Sequence, residues 1–321
     1  MKNNLLLGAT LASLLASGAA IAQDYPTRPI TIVVGATAGG GTDIQARILA
    51  EKLTAELGQQ VLVENQPGAG SNIASAYVAN AAPDGYTLNV AAAAAVINHT
   101  LYANPGFDAT TDFTPVAGWG SSPLVFVTNP ELPVNTLQEL ADYSKTHPGE
   151  LDYGNGVGFI NQMVMELFKI DSGADIQFVP YPGLAPARTD VIGGIIETTV
   201  DSVDSAGPFL LGGELKALAT TAAERLPNYP DLPTTTEAGF PNVNQQAWYG
   251  VLAPAGTPEE IVDMLATAIA KIQADPANAA LIMASGATPM IAGPEEFGAF
   301  FKKEVETWAD VIARAEMPKV E

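Results

Sequence analysis

Residues 30–58 constrain this chain most. Ile30, Ile32, Val33 and Val34 form a short β-branched apolar run, the pattern of a strand buried on both faces in a parallel sheet. Three consecutive glycines follow at Gly39, Gly40 and Gly41. Ile44, Ile48, Leu49, Leu53 and Leu57 then recur at helical spacing, with Thr42 and Asp43 where an N-cap is expected. The stretch reads as strand, glycine turn, helix. Such a turn lets backbone N–H groups converge, and the helix start adds unpaired donors and partial positive charge, which together make an anion site without a charged side chain. A plain tight βα turn fits the same residues equally well. A P-loop is excluded by the missing Lys, and the glycine spacing is not a dinucleotide fingerprint, so a bound anion is not expected to be a nucleotide.

Further along, short apolar runs alternate with helical patterns, which argues for parallel βαβ units. Strands are expected at 61–64, 87–90, 124–127, 151–153, 176–179, 195–201, 215–220 and 248–253. Helices are expected after Ser71 or Asn72, over 136–145, after Gly158, over 186–192 and 258–274, and in two closing segments. A helix over 202–211 is expected to break near Gly207-Pro208, residues 180–183 to form a turn, and Thr257 to cap the helix at 258. The turn from Gly154 to Gly158 repeats the opening design, and two such turns facing each other would clamp an elongated anion. Five alanines, Ala91 to Ala95, end the third strand, where clefts of open α/β sheets lie. They suit a small apolar wall or a closely packed loop.

The 321 residues suit two domains, and they carry 14 Lys+Arg against 35 Asp+Glu, a formal net charge of −21. Nucleic acid and anionic membrane are therefore poor partners, and an anionic ligand must be held by local dipoles against the long-range field. Lys2, the apolar run over 5–21 and Ala20-Ile21-Ala22 read as a secretory signal peptide over 1–22, cleaved after Ala22. The run is short and rich in Ala, Ser and Gly, which fits a signal peptide better than an anchor. There is no cysteine, hence no disulfide or lipid-anchored N-terminus. With two separated histidines, His99 and His147, no metal and no cofactor are expected.

Several segments stand in order along the chain: Tyr25-Pro26-Thr27-Arg28-Pro29-Ile30, Gly39-Gly40-Gly41-Thr42-Asp43 with Ala46-Arg47, and Val63-Glu64-Asn65-Gln66-Pro67-Gly68-Ala69-Gly70, followed by Pro83-Asp84-Gly85-Tyr86-Thr87-Leu88 and Asp112-Phe113-Thr114-Pro115-Val116. Val179-Pro180-Tyr181, Trp248-Tyr249-Gly250 and Ala253-Pro254-Ala255-Gly256-Thr257-Pro258 complete the set. Together, in this order and spacing, they resemble the Bug-type solute-binding proteins of tripartite tricarboxylate transporters. The resemblance implies an α/β, type II periplasmic-binding-protein fold with two lobes, 23–120 plus 250–321 and 121–249, joined by two crossing strands. It implies a periplasmic, monomeric receptor for a small organic carboxylate that serves membrane permease subunits, and no enzyme. The ligand would be a mono- or dicarboxylate, aromatic (terephthalate-like) or C4. Carried over by position, the ligand residues are Ala36, Thr37, Ala38, Gly39, Gly40, Thr42 and Asp43 in the first loop, and Gly156, Val157, Gly158, Phe159, Asn161 and Gln162 in the second. Ala92 and Ala93 stand at the alanine wall, and Asp201 and Ser205 match a recurrent Asp and Ser near the cleft.

Departures from the family pattern bear on the ligand. Gly35-Ala36-Thr37 replaces a Pro-Phe-Pro type segment, Phe159 stands for a Ser and Gln162 for a His. Loss of hydroxyls and gain of Phe159 suggest an apolar or aromatic body between charged ends. Arg188 lies where the family has an apolar residue, and a surface ion pair is expected for it. A sensor feeding a membrane signalling protein would share these features. A hydrolase would need a nucleophile with a His base, and no G-x-S-x-G elbow is present.

Overall fold

The computed structural model describes residues 25–321. The signal-peptide segment 1–22 lies outside them. In chain order the elements are β1 (Ile30–Val34), α1 (Gly41–Leu57), β2 (Val61–Asn65), α2 (Asn72–Ala79), β3 (Thr87–Ala92), α3 (Ala94–Leu101), β4 (Phe113–Thr128), α4 (Leu137–Thr146), β5 (Asp152–Gly156), α5 (Ile160–Ser172), β6 (Gln177–Tyr181), α6 (Leu184–Ile192), β7 (Thr198–Ser202), α7 (Val203–Leu211), β8 (Lys216–Thr220), β9 (Gln246–Pro254), α8 (Glu259–Ala274), α9 (Pro276–Ala284), the two-residue β10 (Thr288–Pro289) and α10 (Pro294–Arg314).

The strands form one curled sheet of order β2-β1-β3-β9-β4-β7-β5-β6, with β8 and β10 also paired to β4. Its two wings are parallel: β2-β1-β3 on one side, β7-β5-β6 on the other. The middle is antiparallel, because β9 runs against both β3 and β4, and β4 against β7. The parallel βαβ units expected from the alternation of strands and helices are found in the wings. β4 lies between the wings, paired to β9 on one side and β7 on the other. Its residues Phe113 to Pro123 pair with β9, and Leu124 to Thr128 pair with β7 and β8, so the partner changes between Pro123 and Leu124.

Packing explains these choices. Ile30, Ile32, Val33 and Val34 of β1 are fully buried, as the β-branched run requires of a strand covered on both faces. Ile261, Leu265, Ile269 and Ile272 give α8 its inward face, as their spacing indicates. In β9, alternation sends Trp248 into a cluster with Phe297, Phe300 and Phe301. A β-carbon at the next position but one, Gly250, would lie 2.0 Å from the Phe297 ring, so α10 seats on the sheet only over a glycine.

Several element boundaries differ from the sequence reading. Helix α1 begins at Gly41 with Gly40 as N-cap, placing Thr42 and Asp43 inside the first turn. Tyr181 ends a strand rather than opening a turn. α7 runs unbroken through Pro208 and is held against β4 and β7. Thr257 does not cap α8; its hydroxyl donates back to Pro254 O at 2.8 Å.

Candidate functional site

The strand-to-helix junctions define the site. β1, β3, β5, β6 and β7 each lead directly into a helix, and the first residues of α1, α3, α5, α6 and α7 line one cleft. α1 contributes Gly40, Gly41 and Thr42; α3 contributes Ala93 and Ala94; α5 contributes Phe159, Ile160 and Asn161. Gly183, the N-cap of α6, and Leu184 come from the α6 start, and Ser202, the last residue of β7, is the N-cap of α7. The cleft holds about 570 Å³ of atom-free space including its open mouth. No Lys, Arg, His, Asp or Glu is among its lining residues.

Each helix start carries about half a positive charge on its unpaired N–H groups. None of the five is capped by a side chain. Side-chain caps occur at α4 and α9, from Thr136 and Asp275; α2, α8 and α10, whose starts do not line the cleft, have none either. Within the first loop the Gly39 N–H donates to Asp43 Oδ2 at 2.9 Å and the Gly40 N–H to Thr37 O at 3.2 Å. These two glycine donors are thus engaged, and the donors left for a ligand are those of Gly41, Thr42 and Asp43. In the second loop Gly158 N–H donates to Gln162 Oε1 at 2.8 Å and Gly156 N–H to Asn155 Oδ1 at 2.9 Å. There the free donors are at Ile160 and Asn161, the first turn of α5. The expected anion nest therefore lies a few residues later in each loop, because the glycines serve to fold the turns that aim the helix starts.

Asp43 is buried and works behind the loop. It accepts from Gly39 N–H, from Arg47 at 3.0 Å and from Asn65 Nδ2 at 2.9 Å. Burial pushes its pKa up, but the hydrogen bonds from Arg47, Gly39 and Asn65 outweigh that and hold it below the ordinary carboxylate value. Asn65 also donates to Ala36 O at 3.1 Å, tying β2 to the turn.

Ala36, Thr37, Gly40, Thr42, Ala92, Ala93, Phe159 and Asn161 line the cleft. Ala38, Gly39, Asp43, Gly156, Val157, Gly158, Gln162, Asp201 and Ser205 do not. Asp201 is fully buried and bonded to Arg188 Nε at 2.6 Å and to the Ser202 N–H at 2.7 Å. Ser205 accepts from Arg188 at 2.8 Å and meets the Ser202 hydroxyl at 2.9 Å. Arg188 is itself buried, so the surface ion pair expected for it is instead an interior one beneath the Ser202 wall. Outside the two loops and the alanine wall, sequence reasoning missed Gly183, Leu184, Ser202, Ala247 and Tyr249. Strand alternation was the available signal for Tyr249: with Trp248 inward, its neighbour faces the cleft. His99 sits outside, its Nδ1 accepting from Ala109 N–H at 3.4 Å, and His147 stacks on Tyr143. No group of residues suited to a metal ion occurs among the described residues.

A two-winged α/β sheet with an uncharged cleft ringed by helix starts is the architecture of a solute-binding protein. The family model described as tripartite tricarboxylate transporter family receptor matches residues 45–317. The chain is 36% identical over 294 residues to Protein BugT of Bordetella pertussis, covering 91% of this chain and 90% of that one. Among solved structures it is similar to R. palustris Rpa4515 with adipate, at 36% identity and TM-score 0.88, covering 91% of this chain and 99% of that one. It is also similar to MatC (Rpa3494) from Rhodopseudomonas palustris with bound malate, at 32% identity and TM-score 0.83, covering 90% and 100%. The chain belongs to the Bug-type tripartite tricarboxylate transporter receptor family, whose members are extracytoplasmic solute-binding proteins and not enzymes. No helix among the described residues is long and apolar enough to cross a membrane.

Proposed function

We propose that this protein is a periplasmic receptor, exported by the signal peptide at 1–22, that closes around an organic carboxylate and delivers it to the permease subunits of a tripartite tricarboxylate-type transporter. The observation that carries this reading is the convergence of five uncapped helix starts on a cleft without any charged side chain. In a molecule with a formal charge of −21, that is the arrangement left for holding an anion. Adipate and malate in the similar structures support a carboxylate here. The lobes are taken as 23–120 plus 250–321 and 121–249, and they work as a monomer. Bending at the Pro123–Leu124 change of partner in β4 would open and close the cleft, with the ligand shifting that equilibrium.

Gly40→Asp tests the site. Gly40 has extended backbone, φ −79° and ψ 161°, which Asp adopts without strain. As an N-cap, Asp would take the α1 donors for itself. The variant is expected to fold at least as stably as wild type yet lose ligand-induced thermal stabilisation. In wild type, a carboxylate at ~100 times its Kd adds roughly 2.7 kcal/mol. An unchanged ligand response in the variant would remove the α1 start from the site.

A further inference from the structure

The cleft is small where the helix starts meet. The space open to the centre of a water molecule there is about 60 Å³. At roughly 12–15 Å³ per water, that admits four or five water-sized groups, enough for a carboxylate and little more. Beside it lies a compartment of about 390 Å³, open to solvent and built by both wings. One side is the turn at 68–71 with Thr37 and Tyr102; the other is Val157, Phe159 and Tyr181. Thr37 and Phe159 border both spaces, and Phe159 alone also borders the narrow cavity behind the alanine wall. Its ring lies flat against the chain at Gly156, where a β-carbon would come within 2.4 Å of it. Phe159 is the N-cap of α5: its carbonyl accepts from the Gln162 and Met163 N–H groups at 3.0 and 3.2 Å, while its ring, which has no group to cap the helix, borders the cavities.

Tyr102 points the same way. It is only 8% exposed, lines the larger compartment, and its hydroxyl has no hydrogen bond to any described residue. Tyr181, by contrast, spends its hydroxyl on Asp190 at 2.6 Å and presents only its ring. A nearly buried phenol with an uncommitted O–H is a donor waiting for an acceptor. No cation lies in this compartment.

We infer that the bound acid is elongated: its carboxylate sits at the helix starts, its carbon body runs along the Phe159 ring into the neighbouring compartment, and a distal oxygen accepts from the Tyr102 hydroxyl. This rests on the receptor reading above and names the ligand class for it, a long-chain or aryl diacid in preference to a C4 one.

Titration calorimetry on the mature chain tests it with succinate, adipate, suberate and hexanoate, on wild type, Tyr102→Phe and Phe159→Leu. Ligand-free unfolding midpoints report that the variants fold. Adipate or suberate is expected to bind at least about tenfold more tightly than succinate. Tyr102→Phe is expected to cost the long diacids roughly five- to tenfold while leaving succinate and hexanoate unchanged, and Phe159→Leu to weaken both six-carbon acids. Succinate binding as tightly as suberate, or Tyr102→Phe leaving diacid affinity intact, overturns the inference and leaves the receptor reading standing. Binding of none of the four acids also overturns the inference, and the receptor reading then rests on the Gly40→Asp comparison above.

Discussion

At the scale of single residues, glycines and one asparagine decide how closely the two wings approach. Gly158 has φ +77°, a conformation that costs a side-chain-bearing residue about 1–3 kcal/mol. A β-carbon there would also lie 1.9 Å from Asn98 Oδ1 on α3. Asn98 is fully buried and holds the Gly70 carbonyl through its Nδ2. Val157 O of the second loop stands 2.7 Å from where a Gly70 β-carbon would be. Backbone therefore meets backbone across the cleft. Gly158→Ala is expected to lower the unfolding free energy by about 1 kcal/mol through the strained φ. It should raise the ligand Kd by about tenfold through the clash, which exists only when the wings are together. Calorimetric affinity and denaturant unfolding on the same variant separate the two effects, and an unchanged Kd would show that closure does not bring Asn98 onto Gly158.

At the scale of elements, Asp43 shows how α1 is held in place without a cap. Its carboxylate joins the turn (Gly39), the helix (Arg47) and β2 (Asn65). Its folded pKa is depressed, so its contribution is fully present above the unfolded carboxylate value near ~3.9 and is lost as pH falls through the lower folded value. Unfolding free energy measured from pH 6 down to 2 should fall in wild type. In Asp43→Asn it should start lower by about 1–3 kcal/mol and fall less steeply. Parallel pH profiles would mean that this carboxylate does not link the three elements. The same elements show what was legible beforehand. The β-branched run of β1, the periodicity of α8 and the glycine turns declared themselves because local pattern decides them. The antiparallel middle of the sheet did not, because it depends on partners distant in the chain; the engaged glycine donors and the interior place of Arg188 did not because they depend on side-chain geometry that residue spacing does not carry. Asp201, for instance, pairs with Arg188 across two elements, and β4 meets β9 more than a hundred residues later. Pro208 misled for the opposite reason: a strong local signal was overridden in a helix packed against β4 and β7.

At the scale of the whole molecule, the site and the surface have opposite signs. On the receptor reading proposed above, the field of a chain with formal charge −21 would repel a dicarboxylate until it entered the cleft, where the helix starts would take over. Salt screens the first effect over about 8–10 Å and leaves the enclosed one nearly intact. The association rate of a dianionic ligand in stopped flow is therefore expected to rise several-fold between roughly 10 and 150 mM salt, with little change in the dissociation rate. A rate that falls with salt would place an attractive charged patch at the mouth.

The uncapped helix starts carry one more consequence. A side-chain cap is worth about 1 kcal/mol to a helix, and five helices here leave that contribution to whatever occupies the cleft. The ligand is in this sense the last piece of the fold. Proteolysis tracks the population of opened chains, so a loaded molecule outlives an empty one. On the receptor reading proposed above, the amount of this protein that survives a protease would rise with the supply of its acid, without any change in synthesis.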